Sequence, residues 1–395
     1  MISKRLEALS ESATLAMAVK ARELQAQGHH VIKLNLGEPD FNTPEHIKEA
    51  AKKAVDDNFT FYPPVAGYPD LKEAICQKLK RDNQLNYEPS QIVVSTGAKQ
   101  SIANVLLSIV DKGDEVIIFT PYWVTYIEQV KLAEGSPVIL KGTLENDFKV
   151  TAAQLKETIT PKTKAVLFSS PCNPTGSVFT KKELTEIAEV LDERKDILVI
   201  SDEIYEYINF EGTHFSIAQI PGMRERTVLV NGFSKGFAMT GWRLGYIAAP
   251  KWLASACNKI QGQVTSGTST ISQKAGVAAL TGSLDATKEM ATAYRRRRDM
   301  VREKLSKIDG FKTNVPAGAF YIFPDVSAFF GKSYEGTTIE DSYDFSMFIL
   351  NQAHVSIVDG AAFGEPNCIR MSFAASDADL EEAILRIEKA VSLLE

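Results

Sequence analysis

Seven short apolar runs are separated by stretches of helical periodicity: Ile92 to Ser95, Glu115 to Phe119, Pro137 to Leu140, Ala165 to Ser169, Ile197 to Ser201, Thr227 to Val230 and Leu244 to Ala249. Several are nearly continuous in apolar residues, the pattern of strands covered on both faces. The alternation predicts an α/β domain built on a mostly parallel sheet between helices. In such sheets ligands gather beyond the carboxyl ends of the strands. The residues with chemical promise fall at those ends.

The rest of the chain has a different texture. A long helix from about Asp285 leads into Phe320-Tyr321-Ile322-Phe323, then a helix near 341 to 352, a strand Asn367 to Phe373 and a terminal helix from about Asp377. The N-terminal part reads as a helix over 12–27, a short strand Val31 to Leu36 and a break at Gly37-Glu38-Pro39-Asp40. At 395 residues the chain is too long for one small core. We expect an N-terminal arm at 1–43, a large domain at 44–284 and a smaller α+β domain at 285–395, to which the arm contributes.

Several function classes are disfavoured. The net charge of -6 offers no basic surface to nucleic acid or anionic lipid. The one basic run, Arg295 to Arg298, reads as a solvated helix face with ion pairs. No run approaches the roughly 18 apolar residues of a membrane span, and Met1 to Glu7 lacks the apolar centre of a signal peptide. Cys76, Cys172, Cys257 and Cys368 are scattered without pairing, as expected of reduced thiols in the cytoplasm. The histidines show no ligand spacing, so no catalytic metal is expected.

Against that background one stretch carries specific chemistry. Lys235 sits among small residues in Gly232-Phe233-Ser234-Lys235-Gly236, and Arg243 follows just before the run Leu244 to Ala249. A lysine traps a carbonyl only where burial or a neighbouring cation keeps part of it neutral. An arginine offers a rigid fork of donors to a phosphate. The two together suggest pyridoxal phosphate (PLP).

Other strand ends supply matching parts. Gly97-Ala98-Lys99-Gln100 opens a helix, whose free amides and dipole favour an anion. Asp202, in Ser201-Asp202-Glu203-Ile204-Tyr205, could hold a protonated ring nitrogen and keep the ring an electron sink, though a strand-end Asp also serves as a helix cap. Tyr205 could reach the cofactor's phenolic oxygen. Asn173, in Ser170-Pro171-Cys172-Asn173-Pro174, could donate to that oxygen or to a substrate carboxylate, or belong to a plain Asn-Pro turn. Trp123 offers a flat indole to a cofactor ring or to the core. Arg370 stands alone in an apolar strand and needs an anion, either a ligand carboxylate or a structural partner.

The run Gly232 to Gly245, with Tyr122-Trp123-Val124-Thr125-Tyr126, Asn173-Pro174-Thr175-Gly176 and Ser201 to Tyr205, resembles the class I aminotransferases of PLP fold type I. The closest likeness is to their bacterial aspartate aminotransferase subgroup. That resemblance implies a seven-stranded large domain with a smaller α+β domain, and a homodimer with active sites at the subunit interface. It implies that Lys235 carries the cofactor and shuttles the proton, Asp202 holds the ring nitrogen, and Asn173 and Tyr205 hold the ring oxygen. Ala98, Lys99, Ser234 and Arg243 would cradle the phosphate with Tyr62 of the other subunit. Gly37, Trp123, Asn173 and Arg370 would receive the substrate α-carboxylate.

The implied reaction is ping-pong amino transfer between an L-amino acid and a 2-oxo acid, with aspartate and 2-oxoglutarate the expected pair. Two departures stand out. Gly232 replaces a serine that many relatives carry three residues before the lysine, and no second arginine for the distal carboxylate is evident. In the subgroup Lys99, near Ser12 and Thr14, is thought to serve instead. Aromatic, alanine or prephenate aminotransferases and carbon–sulfur lyases of the same fold remain as alternatives.

Overall fold

The computed structural model of the chain describes residues 2–10 and 13–395. Seven strands form one sheet: β1 (Ile92–Ser95), β2 (Glu115–Thr120), β3 (Ser136–Lys141), β4 (Thr163–Ser169), β5 (Leu198–Asp202), β6 (Thr227–Gly232) and β7 (Gly245–Ala248). Their spatial order is β1-β7-β6-β5-β4-β2-β3. From β3 across to β6 every pair is parallel, and β7 alone runs antiparallel to both neighbours. The predicted mostly parallel sheet is therefore present.

Alternate side chains explain the continuous apolar runs. Ala165 and Leu167 of β4 enter one core, with helices α1 (Ala98–Ile109) and α2 (Thr125–Leu132), while Val166 and Phe168 enter the core on the opposite face. A strand buried on both sides has no position left for a polar residue until its end. That is where Ser169 and Asp202 stand.

A second, antiparallel sheet has the order β9-β10-β8, from β8 (Tyr321–Ile322), β9 (Val358–Asp359) and β10 (Ile369–Ser372). Helices α3 (Asp285–Leu305) and α4 (Asp377–Val391) cover it through Tyr294, Val301 and Leu305 and through Leu380, Ile384 and Ile387. Ile32 and Leu34 join this core, and so does Tyr205 from the turn after β5. The expected strand Val31 to Leu36 shrinks to Ile32–Lys33, because its parallel partner is only Val355–Ser356.

The basic run on α3 departs from the expected solvated face. Arg297 and Arg298 are 8% and 5% exposed, because they share a helical stripe with the buried Tyr294 and Val301. Arg297 pairs with Asp40 and Asp377, each at 2.9 Å, and Arg298 donates to the Pro316 carbonyl at 2.8 Å. Ion pairing was anticipated; burial of half the run was not. Among the described residues no helix is long and apolar enough to cross a membrane.

Candidate active site

The carboxyl ends of the parallel strands open into a cleft of about 420 Å³ between the two sheets. Gly37, Ala98, Lys99, Trp123, Asn173, Asp202, Tyr205, Ser234, Lys235, Arg243 and Arg370, all singled out in the sequence, line it together. Tyr62 does not: it is 97% exposed and lies beside Gly267 to Thr270. Ser12 and the Thr14 side chain lie outside the described residues.

One end of the cleft is a cradle of backbone amides. Gly97 caps α1 with φ +85°, a conformation that glycine adopts without steric cost, and a Cβ there would lie 2.6 Å from Arg243 Nη2. A Cβ on Gly245 would lie 2.4 Å from the Ala98 nitrogen, so β7 abuts the start of the helix. The first amides of α1 have no partner within the helix, and Arg243, anchored to the Thr240 carbonyl at 2.9 Å, adds its charge beside them. The Gly232 departure has a steric reason: a side chain there would meet the Gly245 Cα and the Leu244 carbonyl, both at 2.9 Å.

In the middle of the cleft Lys235 donates to the Gly37 carbonyl. Burial lowers its pKa to about 8, with Arg370 and Arg243 acting in the same direction and Glu38 and Asp202 opposing. At neutral pH a useful fraction of the amine is thus neutral. Deeper lies Asp202, 3% exposed, its pKa raised to about 6 by burial. Tyr126 Oη donates to its Oδ2 at 2.6 Å and the Ile204 amide to its Oδ1 at 3.2 Å, and both oppose the rise.

At the far wall Arg370 is 2% exposed and lies 4.6 Å over the Tyr321 ring and 4.9 Å over that of Phe363. It donates to Asn173 Oδ1 at 3.0 Å and to the Asn35 carbonyl at 2.7 Å, and its buried Nε has no partner. Among the described residues no carboxylate pairs with it, so the structural ion pair weighed from the sequence is absent. A desolvated guanidinium left in this state is poised for an incoming carboxylate. Lys99 lies 5.0 Å over the Trp123 ring, and burial with nearby Arg243 lowers its pKa.

Three features of the cleft were not evident in the sequence. Tyr126, one helical turn beyond Trp123, serves Asp202; its place in Tyr122-Trp123-Val124-Thr125-Tyr126 was the available signal. Tyr321, in an apolar strand, places its hydroxyl 2.8 Å from that of Tyr205. Behind Asp202, His214 approaches Glu203 at 2.8 Å, with Glu206 close by. These buried carboxylates already have partners, since Ser201 and Ser216 donate to Glu203 and Lys78 pairs with Glu206.

Comparison with known proteins agrees with this geometry. Residues 29–387 match the family model for aminotransferase class I and II. An aspartate aminotransferase of Pinus pinaster is 47% identical over 100% of this chain and 81% of its own length. A probable aspartate/prephenate aminotransferase of Rickettsia bellii is 45% identical over 100% of both chains. The crystal structure of the aspartate aminotransferase from Rhizobium meliloti superposes with a TM-score of 0.97 at 41% identity, covering 100% of both chains. With its seven-stranded sheet, its C-terminal sheet and the cleft between them, this chain belongs to the class I and II aminotransferases.

Proposed function

We propose that the protein is a PLP-dependent aspartate aminotransferase that passes the amino group between L-aspartate and 2-oxoglutarate. The observation that carries this reading is the position of Lys235, an amine with a lowered pKa in a cleft that also holds a buried acid, Asp202, and a buried arginine, Arg370, with no carboxylate partner among the described residues. The residues that line the cleft fit pyridoxal phosphate. The amides of Ala98 and Lys99, with Ser234 and Arg243, would hold its phosphate. Asp202 would face the ring nitrogen, and Asn173 and Tyr205 the ring oxygen.

Bound there, the cofactor supplies the aldehyde that carries the amino group and a ring that withdraws electrons from the reacting carbon. The chain supplies the rest. Asp202, once ionised, would hold a proton on the ring nitrogen. Arg370 takes the α-carboxylate with two parallel donors, turning the substrate so that its Cα proton faces Lys235. The neutral Lys235 Nζ then moves that proton. Lys99 is the cation at hand for a distal carboxylate, which supports a dicarboxylic substrate.

We read residues 44–284 and the C-terminal part with the N-terminal arm as two domains that flank the cleft. Tyr62 would complete the phosphate site of a second copy in a homodimer, which its exposure and that of Phe61, 97% and 79%, support. Four free cysteines support a cytoplasmic location. Prephenate is a second candidate acceptor, favoured by the name of the Rickettsia relative.

A steady-state panel tests the reading: L-aspartate, L-glutamate, L-alanine and L-phenylalanine as donors, with 2-oxoglutarate and prephenate as acceptors. L-aspartate should bleach the visible absorption band of the holoenzyme and support turnover, and Lys235→Ala should abolish both. Normal turnover by Lys235→Ala, or no turnover of any donor by the parent, would reject the assignment.

A further inference from the structure

Tyr321 belongs to the C-terminal sheet, yet its hydroxyl lies in the cleft, 2.8 Å from the Tyr205 hydroxyl. The strand that bears it, β8, pairs with β10, the strand that bears Arg370, in the register Ser372 to Tyr321 and Met371 to Ile322. The Arg370 guanidinium lies 4.6 Å over the Tyr321 ring. On the other side a Cβ at Gly37 would come within 2.9 Å of the Tyr321 hydroxyl, so a side chain there would crowd this oxygen. Tyr321 thus touches the carboxylate-binding arginine with its ring and the ring-oxygen tyrosine with its hydroxyl.

We propose that Tyr321 is a positioning residue that donates its hydroxyl proton to Tyr205, fixing Tyr205 as the donor to the cofactor's phenolic oxygen and tying that donor to the Arg370 carboxylate site. The inference rests on the role given to Tyr205 above. A phenol has one proton to give. If Tyr205 spends its own on the cofactor, its oxygen must accept from Tyr321, and a phenol that accepts a hydrogen bond becomes a stronger donor in turn.

The surroundings allow this direction. Burial raises the pKa of both phenols, and Arg370 opposes the rise at both. Both phenols therefore keep their protons near neutral pH, so Tyr321 has one to give once Tyr205 has committed its own. The other charged groups facing the pair are Asp202 and Lys235 on the Tyr205 side and Glu38 on the Tyr321 side. None of them forms a hydrogen bond to either hydroxyl.

The test is a pH titration of the visible absorption band of the holoenzyme, which follows the proton at the Lys235 nitrogen. A strong donor at the phenolic oxygen stabilises negative charge there, so the nitrogen releases its proton at lower pH. Tyr205→Phe should move the titration to higher pH. Tyr321→Phe should move it the same way by a smaller amount, about 0.5 to 1 unit, and should add nothing in the double variant. Because Phe keeps the ring under Arg370, KM for L-aspartate should stay within about twofold while kcat falls about 2- to 10-fold.

If Tyr205→Phe moves the titration and Tyr321→Phe does not, the relay is wrong and the Tyr205 assignment stands. Additive shifts in the double variant likewise overturn the relay. If Tyr205→Phe itself has no effect, the Tyr205 assignment fails and takes the relay with it. Should Tyr321→Phe fold poorly, 3-fluorotyrosine placed at Tyr321 keeps the shape and makes a better donor. It must then move the titration to lower pH, and no movement rejects the proposal.

Discussion

The Tyr126 hydroxyl donates to Asp202 Oδ2 at 2.6 Å, and both groups are almost fully buried. The bond ties α2 to the end of β5, and the Trp123 ring meets Tyr126 edge-on at 5.6 Å. A carboxylate deprived of solvent needs such donors to stay charged. On the proposed reading Tyr126 would act on the cofactor through Asp202 without touching the ring itself.

The first prediction follows directly. Tyr126→Phe removes one of the two hydrogen bonds that hold Asp202 ionised. A bond to a charged group contributes about 1.5–3 kcal/mol. PLP affinity should fall about 10- to 100-fold, and the acid limb of the kcat/KM profile should move to higher pH. Titration of the apoprotein with PLP measures the first and a pH series the second. Unchanged affinity would show that the Ile204 amide alone suffices.

A second prediction concerns stability without the cofactor. The Asp202 pKa is raised from 3.8 to about 6 in the folded chain. Well below pH 3.8 the group is neutral in folded and unfolded states alike and its ionisation costs nothing. As pH rises through 6 the folded state must bury a charge that the unfolded state leaves in water. The cost then approaches about 3 kcal/mol. Asp202→Asn should therefore stabilise the apoprotein at pH 8 more than at pH 5, and should lower the stabilisation that PLP confers at either pH. Thermal midpoints with and without PLP provide the measurement, and an apoprotein equally stable with Asp or Asn at pH 8 would contradict it.

Much of this site was legible because its chemistry sits at chain breaks. Lys235, Asp202 and Asn173 follow apolar runs, and a polar residue at the end of a strand buried on both faces stands out. Tyr126 and Tyr321 did not stand out, since a phenol within an apolar segment looks like core until its hydroxyl is given a partner. His214 meets Glu203 only because the loop between them folds back, which no periodicity records. Strand order and the reversed direction of β7 were equally hidden, because an apolar run looks alike in either direction. The buried half of the basic run on α3 was missed for a related reason: charge pattern alone does not tell which helical stripe faces the core.

On the proposed reading Lys99 would bear on substrate choice. It lies beside the cleft over Trp123, with no carboxylate within ion-pairing distance among the described residues. A lysine is a point charge on a flexible stem, so it can meet a distal carboxylate without fixing its geometry. Lys99→Ala should lower kcat/KM for L-aspartate about 10- to 100-fold, the loss of one hydrogen bond to a charged group. The value for L-alanine, which has no distal carboxylate, should change by less than about threefold. Parallel losses for both donors would instead make Lys99 a phosphate ligand or a structural residue.

The phosphate cradle gives the last prediction. At Gly245 an added Cβ would lie 2.4 Å from the Ala98 nitrogen and 2.6 Å from the Gly97 carbonyl carbon. Both are backbone atoms held in place by the pairing of β1 with β7 and by the start of α1. Neither can yield as a side-chain tip would, so Gly245→Ala must push the strand and the helix apart. The displaced amides are the ones expected to face the phosphate, and such contacts lose strength steeply once misaligned. PLP affinity should fall by more than about tenfold, while affinity for pyridoxal, which lacks the phosphate, should change much less. Equal losses for the two ligands would mean that the damage reaches the ring-binding residues, and that the start of α1 is not where the phosphate sits.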